Sequence, residues 1–100
     1  MITYETSALA YKEYKGKGNV QRDHEIIVWV LFNNLERPLT AFGIAKLAYY
    51  KDKDNRVRKI DYLAVSRRMK ELRDMEKVEL TGDRFTDSDG QTRASYLIKL

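Results

Sequence analysis

Apolar positions recur at helical spacing in three stretches of this chain and alternate in a fourth, which predicts three helices followed by a β-hairpin. The first helix is expected from Gln21 to Leu35. There Ile27, Val30 and Leu31 form a core stripe, and Val28, Trp29, Phe32 and Leu35 form a second apolar sector beside it. Asp23 and Glu25 lie in its opening turn, where negative charge suits the helix dipole. Asn33-Asn34 and Arg37-Pro38 close it. Thr40 then serves as the N-cap of a second helix, Leu39 can staple onto Ile44, and Ala41, Ile44, Leu47 and Ala48 make a short apolar face. Gly43 stands where a capping box would carry Glu or Gln, so that box is absent.

The third stretch, DYLAVSRRMKELRDMEKV from Asp61 to Val78, combines an apolar face with a basic one. Val65, Met69 and Leu72 fall within roughly 60° of one another around a helix, with Tyr62 at their edge. Ser66, Arg67 and Lys70 point away, together with Leu63 and Asp74, while Arg68 leans toward the core edge. Val78-Glu79-Leu80 then alternates as a strand, Asp87-Ser88-Asp89-Gly90 supplies turn residues, and Ala94, Tyr96, Ile98 and Leu100 alternate as a returning strand. The charged run KDKDNRVRK from Lys51 to Lys59 has no apolar periodicity and reads as a loop or an extension of the second helix. Gly16-Lys17-Gly18 is a joint. It separates an N-terminal arm, residues 1–20, from one α+β domain, residues 21–100. Tyr4, Tyr11 and Tyr14 offer the arm a way to pack on the body.

Charge sharpens this picture through its location. The 19 basic and 15 acidic residues give a net +4. Lys51 to Arg73 alone holds nine Lys/Arg and four Asp/Glu, a net of +5, so the remaining ten against eleven sum to −1. Positive charge concentrated in and just before one helix is the footprint of a polyanion binder.

Several chemistries are disfavoured. There is no cysteine, hence no disulfide or thiolate metal site. Gly16-Lys17-Gly18 lacks the spacing of a phosphate loop. His24 has no second His or Cys to complete a transition-metal site and reads as a surface residue at a helix start. DSDG does not continue into a calcium loop ending in Glu. No paired carboxylates sit in an apolar setting, so neither an enzyme nor a cofactor is expected. No segment approaches the ~20 apolar residues of a membrane span, and a cytoplasmic location is expected.

PLTAFGIAKLA resembles the second helix of winged helix-turn-helix domains, often written PLTAxxIAxxLG. AVSRRMKELRDMEKVEL resembles their third helix and first wing strand, VSxRLxELxxxGLVE. TSALAYKEY before QRDHEII is similar to the N-terminal extension of small winged-helix proteins encoded in phage and prophage genomes. Glu76 departs from the pattern where it carries the helix-ending glycine, as does Ala48-Tyr49 at the end of helix two.

The resemblance implies three helices with a two- or three-stranded wing. It also implies a duplex DNA-binding transcriptional regulator with the third helix in the major groove. Arg67 is then the choice for a base edge, with Ser66 beside it; Lys70, Arg58 and Lys59 suit phosphates. Arg84 and Arg93 would reach backbone from the wing strands, whose acidic tip is repelled by DNA. The surplus sector at Val28, Trp29 and Phe32 is expected to be covered by a second copy in a homodimer, or by the N-terminal tyrosines. Two alternatives stay open. One is a winged-helix interaction module, an adaptor or inhibitor of a host protein, for which Phe42, Tyr49 and Tyr50 and the acidic tip speak. The other is a replication or packaging accessory that binds DNA with little sequence preference.

Overall fold

The computed structural model describes residues 19–100. The expected arm, Tyr4, Tyr11 and Tyr14 included, lies outside the described residues except for Asn19 and Val20, which begin the first helix. The elements run α1 (Asn19–Phe32), α2 (Ala41–Leu47), β1 (Tyr49–Lys51), β2 (Val57–Lys59), α3 (Tyr62–Asp74), β3 (Val78–Thr86) and β4 (Thr92–Ile98). Three helices and two separate antiparallel hairpins make an α+β fold.

One core joins the helices. Ile27, Val30 and Leu31 of α1, Ile44 of α2, and Val65, Met69 and Leu72 of α3 are all sealed from solvent, which is the phase the apolar spacing requires. Val78 closes the core at the start of β3, and Tyr96 and Ile98 of β4 pack against it. Each fully buried large side chain of this cluster contributes ~1.5–3 kcal/mol toward offsetting chain entropy.

Helix ends follow from local chemistry. Thr40 caps α2 by accepting the N–H of Gly43 at 3.0 Å, and Asp61 caps α3 by accepting that of Ala64 at 2.8 Å. α1 begins two residues before its expected start, which moves Asp23 out of the opening turn into a buried position beside Arg22, 2.9 Å away. It also stops at Phe32 rather than Leu35. The amides of Asn33 and Asn34 donate to the carbonyls of Trp29 and Val30, satisfying last-turn acceptors that further helix would otherwise have used. β4 likewise ends at Ile98, and Leu100 is exposed.

The charged run after α2 is neither loop nor helix extension. It is the hairpin β1–β2, with Tyr49 opposite Lys59, Tyr50 opposite Arg58 and Lys51 opposite Val57. Asp52 builds its turn: one carboxylate oxygen accepts the N–H groups of Asp54 and Arg56, and the other accepts Arg58 Nε at 2.8 Å. Asn55 takes φ +62 there, a conformation asparagine tolerates well. The hairpin base is closed by the Ile60 N–H donating to the Ala48 carbonyl, and both residues are buried. Leu39 adds one residue of further pairing to the other hairpin, exchanging both backbone hydrogen bonds with Tyr96.

The exit from α3 keeps the geometry that glycine usually serves. Glu76 N–H donates to the Arg73 carbonyl and Lys77 N–H to that of Leu72, a Schellman motif with Glu76 at φ +58. A side chain in that region costs ~1–2 kcal/mol, against ~0.5–1 kcal/mol of extra chain entropy for glycine. The Glu76–Lys99 pair, 3.1 Å apart and exposed, offsets little. Glu76→Gly should therefore raise stability by about 0.5–1 kcal/mol, read as an increase of roughly 2–6 °C in thermal midpoint by circular dichroism. An unchanged or lower midpoint would mean that the left-handed residue is not strained.

Candidate nucleic-acid interface

α3 presents Leu63, Arg67, Lys70 and Arg73 to solvent, opposite its buried stripe. Arg67, Lys70 and Arg73 have no carboxylate partner among the described residues. Ser66 is half-buried, and its hydroxyl, followed by the Arg93 guanidinium, holds the Tyr62 phenol below its ordinary range. Lys77, exposed just past the helix, extends the cationic row.

Arg68 belongs to the other flank. Its Nη2 donates to Glu71 Oε2 at 3.0 Å; its Nε lies 2.9 Å from Oε1 but is poorly aligned for a hydrogen bond. His24 is not a solvated surface residue: its Nε2 sits 2.6 Å from the same carboxylate, linking α1 to α3. The His24 hydrogen bond, followed by the Arg68 charge, holds the Glu71 carboxyl below its usual range.

The remaining predicted contacts divide. Lys59 is exposed on β2, 5.9 Å above the Tyr49 ring, and Arg58 is half-exposed although paired with Asp52. Arg84 is exposed on β3, where it reaches the Thr92 carbonyl at 3.3 Å. Arg93 is turned inward. Its guanidinium lies 4.8 Å from the Phe42 ring centroid and 4.5 Å from that of Tyr62, and Nε donates to Tyr62 Oη at 3.0 Å. Nη1 reaches Asp87 and Asp89 at 3.0 Å each, and Nη2 reaches Asp89 at 2.8 Å. The Thr40 hydroxyl donates to Asp87 at 2.9 Å, and Lys46 Nζ donates to Ser88 at 2.9 Å. The β3–β4 turn is thus latched to the starts of α2 and α3, with its carboxylates already matched.

Phe42, Tyr49 and Tyr50 were expected to be exposed; Tyr49 is, but Phe42 and Tyr50 are half-buried. Phe42 packs edge-on to Tyr62 and under Arg93 and Lys46, and the Arg22 guanidinium lies 3.8 Å from the Tyr50 ring centroid. Val28 and Trp29 are half-buried against the core, and Phe32 is half-buried. Trp29 also lines a cleft of about 550 Å³ with Leu47, Tyr49 and Val57. No cluster of three or more His, Asp or Glu among the described residues is arranged to hold a metal.

Composition alone overlooked Lys51, Lys53 and Arg56. All three are exposed on β1–β2 without a carboxylate partner among the described residues. Their charge was visible in the run; the turn that fixes them was not. No family model, curated protein or solved structure matches this chain.

Arg93 drives the Asp89 carboxyl from 3.8 down to about 2. A lowered carboxyl contributes stability that is complete above its unfolded value and is lost as pH falls through the folded one. Wild-type thermal midpoint should accordingly drop between pH 3.8 and about 2. In Arg93→Met, already less stable at neutral pH, Asp87 and Asp89 repel until protonated, so the same acidification should cost less or stabilise. Equal acid losses in the two proteins would separate the latch from the acid response.

Proposed function

We propose that this chain is a winged helix-turn-helix domain that binds duplex DNA as a homodimer, in the manner of a phage or prophage transcriptional regulator, with α3 in the major groove. The observation that carries this reading is the sorting of cations on α3. Arg67, Lys70 and Arg73 are left outward and unmatched among the described residues, while Arg68 is drawn into an internal pair. A helix with one face in the core and cations on the other suits insertion into a groove walled by phosphates. Arg67 reads a guanine edge and Lys70 holds a phosphate; Leu63, 65% exposed on the same side, suits a thymine methyl. The element order and the pairing of Leu39 with β4 support the winged-helix assignment.

A protein-interaction module is the second reading. Leu47, Tyr49 and Val57, each more than two-fifths exposed around the cleft beside α1, favour it.

Fluorescence anisotropy with random duplex DNA at several salt concentrations separates the two. About four neutralised phosphates imply a log-log slope near roughly −3.6. Arg67→Ala should leave stability within about 0.5 kcal/mol, cost ~1–3 kcal/mol of specific binding and relax preference at one base pair. Lys70→Ala should weaken all sequences alike and reduce the slope by roughly 1. A wild-type slope near zero would favour the interaction module.

The dimer is assigned to Val28, Trp29 and Phe32 of α1. Phe32→Glu should give a monomer by light scattering while circular dichroism stays helical. A wild type that is monomeric at ~100 μM, a concentration at which only affinities weaker than about 5 kcal/mol escape detection, would remove the dimer from the reading.

A further inference from the structure

We propose that the β1–β2 hairpin is a second DNA-contacting element, a basic ribbon that grips the phosphate backbone flanking the groove occupied by α3. This rests on the duplex-binding reading above and adds to it a part of the molecule outside the three helices and the β3–β4 hairpin.

The argument begins with charge and its accessibility. Lys51 to Lys59 carries five cations, Lys51, Lys53, Arg56, Arg58 and Lys59, against Asp52 and Asp54, a net of +3. Asp52 is consumed within the turn by Arg58 and two backbone N–H groups, which hold its carboxyl below the usual range. Lys51, Lys53, Arg56 and Lys59 therefore face solvent with Asp54 as the single unmatched acid of the hairpin. Burial does not explain the projection: every residue from Lys53 to Lys59 is exposed, Val57 at the edge of the cleft included. The β3–β4 turn is the opposite case. Residues 87–93 sum to −1, and their one cation, Arg93, is enclosed by Asp87, Asp89, Phe42 and Tyr62. Of the two hairpins, only β1–β2 offers its turn to a polyanion.

Its placement fits the same partner. β2 runs through the buried Ile60 directly into Asp61, the N-cap of α3, so the ribbon is rooted at the helix end nearest Leu63 and Arg67. From the Ala48–Ile60 pair to the last paired residues, Asp52 and Arg56, is four residues, a projection of roughly 13 Å at ~3.3 Å per residue, with the Lys53–Asn55 turn beyond it. That exceeds the ~12 Å width of the major groove, so the tip can reach the backbone bounding the groove in which α3 lies. The internal Asp52 scaffold holds the cations in place before binding, which lowers the ordering cost of each contact.

The test compares the wild-type chain, residues 1–100, with Lys53→Gln/Arg56→Gln on random and preferred duplexes across salt concentrations. Neither side chain makes a described contact, so folding should be unchanged by circular dichroism. Losing two phosphate contacts should make the salt slope shallower by roughly 1.8 while the ratio of preferred to random affinity stays constant. A variant with the wild-type slope would overturn the hairpin assignment and leave the α3 reading standing. A changed sequence preference would also overturn it as a backbone contact. A wild type that binds no duplex at low salt would overturn the functional reading and this inference together.

Discussion

Arg93 stands between the rings of Phe42 and Tyr62 and is bound on its polar edge by Tyr62, Asp87 and Asp89. Those groups come from α2, α3 and the β3–β4 turn, so one guanidinium sets the relative placement of three elements. Arginine is suited to this because its planar cation stacks on aromatic faces while its fork engages carboxylates side by side. Lysine would keep the charge and lose both geometries. Asp87 extends the latch to Thr40, whose hydroxyl also accepts the Gly43 N–H that starts α2. The turn chemistry of the C-terminal hairpin is thereby joined to the capping of a helix more than forty residues earlier.

That constraint has an electrostatic consequence. The cations turned inward are matched internally: Arg22 to Asp23, Arg68 to Glu71, Arg93 to Asp87 and Asp89. Exposed pairs such as Lys99 with Glu76 add little to stability. What is left outward falls mainly on α3, on the turn after it and on β1–β2. Asp23, Asp52, Glu71, Asp87 and Asp89 are already held by cations, whereas Arg67, Lys70 and Arg73 of α3 and Lys51, Lys53 and Arg56 of β1–β2 have no carboxylate partner among the described residues. This separation of structural from outward cations supports a polyanion partner better than total charge does.

The sequence by itself determined the three helices, the C-terminal hairpin and the phase of α3. Val65, Met69 and Leu72 are buried, and Arg67 and Lys70 exposed, because helical periodicity leaves no other arrangement once one face is apolar. Thr40 announced its cap in the same way, since a cap depends only on residues three positions apart; the Asp61 cap of α3 obeys the same rule but was not read from the sequence. The left-handed exit at Glu76 was legible as a departure from glycine; that it would keep the glycine geometry was decided by the burial of Leu72 and Val78 on either side.

Only tertiary structure decided the rest. KDKDNRVRK carries no apolar alternation because every residue from Lys53 to Lys59 is exposed; its turn comes from Asp52 bonding to its own neighbours, which periodicity cannot register. His24 and Glu71 are forty-seven positions apart, and Phe42 and Tyr62 were apolar candidates with no visible partner. Arg93 looked like a free cation on a wing strand, although an acidic turn lay a few residues before it. Whether such charges meet each other or a ligand depends on where the turn comes to rest, and the packing of that turn against α2 and α3 settles it.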